Sequence, residues 1–211
     1  MKIMCGRYVI TNPVTKTNKI VKSAIQIEDT ENYNAHPYQK LPVIKKYKNG
    51  NTLENLKWGI LPSWAKKKDF KPLINARLET IDEKISFKNL IKLYRCVVVA
   101  DGFYEWKRDE KNKIPYYFLR EDKKIMYIAG IYDNNEFCLI TEQAKNYVNE
   151  IHYRQPVILN ENDVNRYLNL ELSGSDFLKD SNKTDLIYYE ISKEVNKPTN
   201  NSISLIQQKK N

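Results

Sequence analysis

Cys5 follows Met4 and precedes Gly6-Arg7-Tyr8. A cysteine in that place has a chemistry open to no internal cysteine. If the chain is cut after Met4, Cys5 carries an α-amine and a thiol on adjacent carbons. The amine condenses with an aldehyde, and the thiol then closes a five-membered thiazolidine ring. Reference pKa values of about 7.7–8.0 for an α-amine and about 8.5 for a thiol put both groups near neutrality. Modest help from neighbours then supplies the reactive forms. The competing use of Cys5 is as a small hydrophobe at the start of a strand, the commoner fate of a free cysteine. Cys96 and Cys138 lie inside apolar runs and read as reduced core residues. Three widely spaced thiols make neither a disulfide framework nor a zinc pattern.

Other residues invite chemistry one at a time. Glu105 sits among aromatics in Phe103-Tyr104-Glu105-Trp106, directly after the apolar run Arg95–Ala100. Desolvation there favours the protonated carboxyl and suits general acid/base work, and a salt-bridged structural glutamate is the alternative. The chain has two histidines. His152 stands between an apolar residue and an Arg-x-Pro turn, and His36 stands in the Tyr33–Pro37 segment. Asn75 and Arg77 place polar groups where a core strand would have none, and Arg154 follows His152 by two residues. No spacing argument joins these residues, because they come from separate segments.

The elements that must position them are mostly strands. Residues 5–10 read as a short strand, and Lys19–Ile27 has helical spacing with Ile20, Ala24 and Ile27 on one face. Tyr33–Pro37 reads as an irregular turn, since the residue before a proline is pushed out of helical geometry. Leu41–Tyr47 and Thr52–Trp58 form a hairpin around Asn49-Gly50-Asn51. Trp58-Gly-Ile-Leu-Pro-Ser-Trp64 is an aromatic ridge, either core or a platform for bases. Ser86–Tyr94 and Gln143–Glu150 are expected helices, and Val164–Leu168 begins another. Arg95–Ala100 is the clearest buried strand, followed by strands at Tyr116–Leu119, Lys124–Ile131, Glu136–Thr141 and Ile187–Ile191. Residues after Leu170 are polar and are expected to wrap the surface, ending in a frayed lysine-rich tail from about residue 203. Many short strands with few helices indicate an antiparallel α+β fold.

The 211 residues suit one domain, with no internal repeat and no linker-like stretch. No apolar run reaches the roughly 20 residues of a membrane helix, and a signal-peptide core is missing. A cytoplasmic, monomeric protein is expected, without cofactor or metal. The formal charge of +9 fits a polyanion partner, with nucleic acid the usual one. Part of that charge lies in Lys66-Lys67-Lys68 and Lys209-Lys210, and a lysine-rich composition can also arise without any such partner.

Taken in order, Met4–Tyr8, Tyr33–Pro37, Trp58–Trp64, Ile74–Thr80, Arg95–Trp106, Ile151–Leu159, Val195-Asn196 and Asn200-Asn201-Ser202 resemble the SOS response-associated peptidase family of abasic site processing proteins. The resemblance spans essentially the whole chain. It implies a single-domain α+β fold of mainly antiparallel sheets with a barrel-like core and flanking helices. It also implies binding to single-stranded DNA and a covalent crosslink to abasic sites, with peptidase and lyase activities attached to the family. By this resemblance Cys5 is the crosslinking nucleophile, Asn75 binds the sugar or an oxyanion, and Glu105 moves protons. His152 would be a second acid/base for strand incision and crosslink reversal. Arg77 and Arg154 would hold flanking phosphates, Trp64 would stack on or wedge bases, and Arg7 and Asn34 would complete the DNA-binding set.

The chain departs from the family pattern in places. Met1-Lys2-Ile3 precede Met4, so an aminopeptidase alone does not expose Cys5. The expectation is that residues 1–3 are a non-native or processed extension, through a start at Met4 or self-cleavage there. Tyr153 and Gln155 replace the usual Asp and the usual Met or Arg beside the histidine, and His36 is unusual in its turn. Two other readings stay open: a cysteine peptidase using Cys5, His152 and Glu105, and a noncatalytic single-strand binder.

Overall fold

In the computed structural model, residues 5–48, 50–65, 70–109, 112–172, 174–179 and 184–209 are described. Strands β1 (Tyr8–Thr11), β2 (Ser23–Ala24) and β3 (Glu31–Ala35) come first, with helix α1 (Pro13–Thr17) after β1. Then β4 (Lys40–Tyr47) and β5 (Gly50–Trp58) make the expected hairpin, paired from Lys40↔Lys57 to Tyr47↔Gly50. β6 (Asn75–Arg77), α2 (Leu90–Leu93), β7 (Arg95–Ala100), β8 (Gly102–Asp109), β9 (Asn112–Arg120), β10 (Met126–Asp133) and β11 (Glu136–Gln143) follow. The chain continues with α3 (Val148–Ile151), β12 (Arg154–Pro156), β13 (Ile158–Leu159), α4 (Glu161–Leu168) and β14 (Leu186–Glu190).

Two sheets result. In the larger, β11, β10, β7, β4 and β5 are neighbours in that order, and β5 pairs back onto β11. This closes a ring, which is the barrel-like core. Closure removes unpaired strand edges. β7 is buried throughout, and it is apolar after Arg95, whose buried guanidinium donates to the carbonyls of Ile91, Tyr167 and Gly174. Trp58, Phe137, Val98 and Ile140 are among the residues sealed inside. The second sheet runs β14-β9-β8-β1-β3. One of its faces packs Tyr8, Phe103 and Phe118 against the barrel. The other buries Tyr104 and Tyr117 with Val195 and Leu205 of the C-terminal segment. The chain passes from barrel to second sheet at Ala100–Gly102, where a Cβ on Gly102 would collide with the Phe118 carbonyl and the Tyr117 ring.

Several expected elements are redrawn by tertiary pairing. The helical spacing of Lys19–Ile27 does not give a helix. Thr17 O accepts from the Ile20 and Val21 N–H groups in a single turn, and the Lys22 and Ile25 N–H groups donate to Asn51 O and Leu53 O. The segment becomes an edge strand on β5. Tyr33–Ala35 is strand rather than irregular turn, paired with β1. Ser86–Tyr94 is helical only over Leu90–Leu93. Gln143–Glu150 is helical only from Val148, because Gln143 and Ala144 continue the ladder with Arg154 and Tyr153. The closing segment does not fray within its described part. Leu205 is buried, Ile191 bridges Gln208, and the Lys209 N–H donates to Glu190 O. Residues 1–4, with the expected extension, lie outside the described residues, as do Asn49, Lys66-Lys67-Lys68 and the last two residues.

Candidate active site

β8 sets the site by strand alternation. Phe103 faces the barrel and Tyr104 faces away, so Glu105 turns back toward the barrel with Phe103. Its carboxyl is thereby trapped in the seam between the two sheets, 2% exposed. Cys5, just ahead of β1, lies in the same seam and is also buried. The Cys5 backbone nitrogen donates to Glu105 Oε1 at 2.6 Å, and Cys5 Sγ is 3.9 Å from Arg154 O. Cys5 has a φ of 42°, a left-handed conformation that costs energy for a residue with a side chain.

His152 reaches the seam from the end of α3. Its Nδ1 is 3.7 Å from Glu105 Oε1. The same nitrogen is 3.2 Å from the Arg154 N–H and 3.2 Å from the Arg154 carbonyl. A bare Nδ1 accepts from that N–H, and a protonated one donates to the carbonyl and faces the carboxylate. Both states are accommodated without moving the ring, which is what a proton-transfer group needs. Tyr153 packs against the imidazole in a tilted arrangement, with ring centroids 4.6 Å apart and planes 37° from parallel.

Burial pushes the Glu105 carboxyl up to about 7, against the hydrogen bonds from Cys5 and the Trp106 backbone that favour its charged form. Burial also pushes the Cys5 thiol well above its ordinary range, and the neighbouring Glu105 charge adds to the effect. The seam therefore offers a carboxyl able to exchange protons near neutrality, a protonated thiol, and a nitrogen hydrogen-bonded to the carboxyl.

Arg154 is buried and engaged. Its guanidinium forks onto Glu79 at 2.6 and 2.9 Å, and Nη2 also donates to Thr141 O at 2.6 Å. Burial is the largest single influence and raises the Glu79 carboxyl, but the Arg154 hydrogen bonds and charge, together with backbone N–H donors that include Gln143, outweigh it and hold the group below its ordinary range. Arg77 is exposed, on β6 beside β11, while Ala76 between it and Asn75 is buried. Asn75 is half-buried. Arg7 Nη1 donates to Asn34 Oδ1 and to Val195 O, both at 2.7 Å. Asn34 is 1% exposed and donates to the carbonyls of Val195, Lys197 and Asn200. The two tryptophans of the apolar loop part company: Trp58 is sealed in the barrel, whereas Trp64 is half-exposed and packs edge-on against Phe70 at 5.2 Å.

A groove of about 830 Å³ opens onto Glu105 and His152. Arg7, Lys71, Arg108 and Lys113 give its walls positive charge, and Tyr38 and Trp106 give them flat aromatic surface. Ile74, next to Asn75, lines it too, but Trp64, Arg77 and Arg154 do not. The sequence had not singled out Tyr38, Lys71, Arg108 or Lys113. Trp106 carried a signal, since it directly follows Glu105 on an alternating strand, and its Nε1 donates to Asn196 at 2.7 Å. Glu79 carried a weaker one, two residues after Arg77. Among the described residues, no group of three or more His, Cys, Asp or Glu side chains could hold a metal ion, and no helix is long and apolar enough to cross a membrane.

The ring-closed α+β fold belongs to a known class of protein. The family model described as SOS response associated peptidase (SRAP) matches residues 4–198, and the chain belongs to this family. It is 33% identical over 222 residues to the abasic site processing protein YoqW of Bacillus subtilis, covering 97% of this chain and 99% of that protein. It is 29% identical to the abasic site processing protein YedK of Escherichia coli, covering 82% and 83% of the two chains. Against the abasic site processing protein HMCES of Xenopus tropicalis it is 30% identical, covering 81% of this chain and 64% of the relative. A crystal structure of a Bacteroides thetaiotaomicron protein shares the fold, with a TM-score of 0.79 and 24% identity over 97% of this chain and all of that one.

Proposed function

We propose that this protein processes abasic sites in single-stranded DNA by a covalent crosslink, with Cys5 as its first residue once the preceding residues are removed. The observation that carries this reading is the 2.6 Å hydrogen bond from the Cys5 nitrogen to Glu105 Oε1. In the trimmed chain that nitrogen is the α-amine. Glu105 takes a proton from it, and the amine adds to the aldehyde carbon of the ring-opened sugar. Glu105 returns the proton as water leaves, giving an imine. The thiol then adds to the imine carbon and its proton passes to the nitrogen. Aldehyde and aminothiol thus become thiazolidine and water, with no oxidant or metal required by the balance. A carboxyl near neutrality serves both proton transfers, and the amine rather than the thiol makes the first attack, so the protonated thiol is no obstacle.

Asn75 would bind the sugar or the developing oxyanion. His152, within reach of the same carboxyl, would serve strand incision and reversal. Arg77 and the groove cations would meet phosphates, Trp64 would stack on a base, and Asn34 would act by holding Arg7. For Arg154 to hold a phosphate, its bond to Glu79 would have to be exchanged. A peptidase acting through an internal Cys5 has less support, because burial and Glu105 both oppose thiolate formation. The test is a denaturing gel of abasic single-stranded DNA with two forms of the chain, one trimmed to Cys5 and one locked in its extended form, each verified by intact mass. The trimmed form should give a denaturation-resistant adduct and the extended form none, since an amide nitrogen makes no imine. A stable adduct from the extended form sinks the mechanism.

A further inference from the structure

Beside the reactive groove lies a second recess, about 680 Å³ in volume. His36 and Pro198 are walls of both. Side-chain amides build much of the remainder, and backbone donors settle how they are turned. The Asn34 N–H donates to Asn32 Oδ1 at 3.1 Å. Asn32 therefore directs its NH₂ the other way, where it meets Gln39 Oε1 at 3.2 Å. The same Gln39 oxygen accepts the His36 N–H at 3.1 Å. A backbone N–H can only donate, so the Gln39 atom facing it is oxygen and the Gln39 NH₂ is at the opposite end of the amide. Asn201 is engaged at both ends, accepting from the Tyr33 N–H at 2.7 Å and donating to Glu31 O at 3.1 Å. Gln39 thus presents a donor whose orientation is set before any ligand arrives. His36 adds a flat ring at the shared rim, its Nδ1 2.9 Å from Pro37 O.

We propose that this recess receives the unstacked base of a nucleotide next to the abasic site. The His36 ring stacks on the face of the base, and the Gln39 amide donates to an acceptor on its edge. The proposal rests on the crosslinking function above, which brings the DNA to the groove. A base fits the walls better than a phosphate does. Among the described residues, no lysine or arginine lines the recess, and Glu31 does, whereas unstacked bases are recognised by stacking on flat side chains and by hydrogen bonds to their edges. Every base has an edge acceptor, so the recess reads the presence of a base more than its identity.

The experiment measures affinity of the trimmed protein for single strands carrying tetrahydrofuran, an abasic analogue with no aldehyde. A second tetrahydrofuran removes the neighbouring base on one side or the other. On one side, the loss should weaken binding about 5- to 150-fold, the range of a single base stack. Gln39→Ala and His36→Ala should weaken binding to the intact flank and then lose less than about twofold on base removal. Because the Gln39 oxygen also holds the turn, Gln39→Glu provides a variant that keeps that acceptor and removes the donor. It should lose base sensitivity with an unchanged thermal midpoint. Wild-type affinity insensitive to base removal on both sides overturns the recess, as does full sensitivity retained in the variants. If the trimmed protein still crosslinks ordinary abasic DNA in either case, the recess alone has failed. If it binds neither strand nor forms an adduct, the recess and the crosslinking reading fail together.

Discussion

Cys138 in the barrel and Cys5 in the seam are both fully buried, and burial raises both thiols well above their ordinary range. By thiol ionisation alone the two would be equally inert. They differ in what surrounds them. Cys138 has Phe137 and Leu139 beside it on β11 and packs within the barrel's apolar core. Cys5 has a buried carboxyl on its nitrogen, a histidine beyond that carboxyl and a backbone carbonyl near its sulfur. The lesson is that the fold prepares the nitrogen of Cys5 and leaves the sulfur protonated. That suits the proposed chemistry, in which an amine acts first and the cysteine can be as buried as a structural one.

The largest contrast should come from substituting the two cysteines in the trimmed chain. Cys5→Ser should abolish the denaturation-resistant adduct on a denaturing gel, since a hydroxyl closes no comparably stable ring. Cys138→Ala should leave adduct yield intact and cost about 1–3 kcal/mol of stability in denaturant unfolding. Full adduct from Cys5→Ser would erase the distinction.

Glu105→Gln should slow adduct formation about 10²- to 10⁴-fold, the usual contribution of a positioned acid/base group, with affinity for tetrahydrofuran DNA nearly unchanged. Loss of that affinity would make Glu105 a structural residue.

In the extended chain, the same substitution should also be visible in stability against pH. The folded carboxyl sits at about 7, above the roughly 4.3 of an unfolded glutamate. Between those values the folded state binds more protons, so stability falls as pH rises through the window. Well above pH 7 the buried charge costs up to about 4 kcal/mol. Glu105→Gln should therefore be more stable than wild type at pH 8, with the advantage gone below about pH 4. In the trimmed chain a cationic amine beside Glu105 should flatten this dependence. Urea melts across pH would reveal whether the two chains behave alike, which would contradict the pairing.

The arginines sharpen the comparison between buried and exposed charge. Arg154→Ala should cost about 2–4 kcal/mol of folding stability, because it strips the fork from Glu79 and Thr141. Arg77→Ala should barely change stability and should reduce the log–log salt slope of single-strand binding by about 0.7, one phosphate contact. A salt slope unmoved by Arg77→Ala would remove it from the DNA path.

Much of the fold was legible because local pattern and burial agree. The apolar run of β7 and the β4–β5 hairpin could each be read without a structure. Elements failed where a backbone found partners far away in sequence. Lys19–Ile27 has a helical face, yet Ala24 and Ile25 are exposed, and the strand pairing with β5 supplies hydrogen bonds that an apolar spacing does not encode. Gln143–Glu150 lost its first half to the β11–β12 ladder for the same reason.

What the sequence alone determined is which atoms could react: a cysteine that can become an aminothiol, a glutamate among aromatics, a histidine beside an arginine. Only the tertiary structure decided that they meet. Cys5 and Glu105 are 100 residues apart, and their contact requires β1 to lie against β8 with Tyr8 opposite Phe103. The tertiary structure likewise buried the Glu105 carboxyl and locked Arg154 onto Glu79. Residue type sets the charge a group can carry, but the desolvation and the partners that tune it exist only once distant strands have packed.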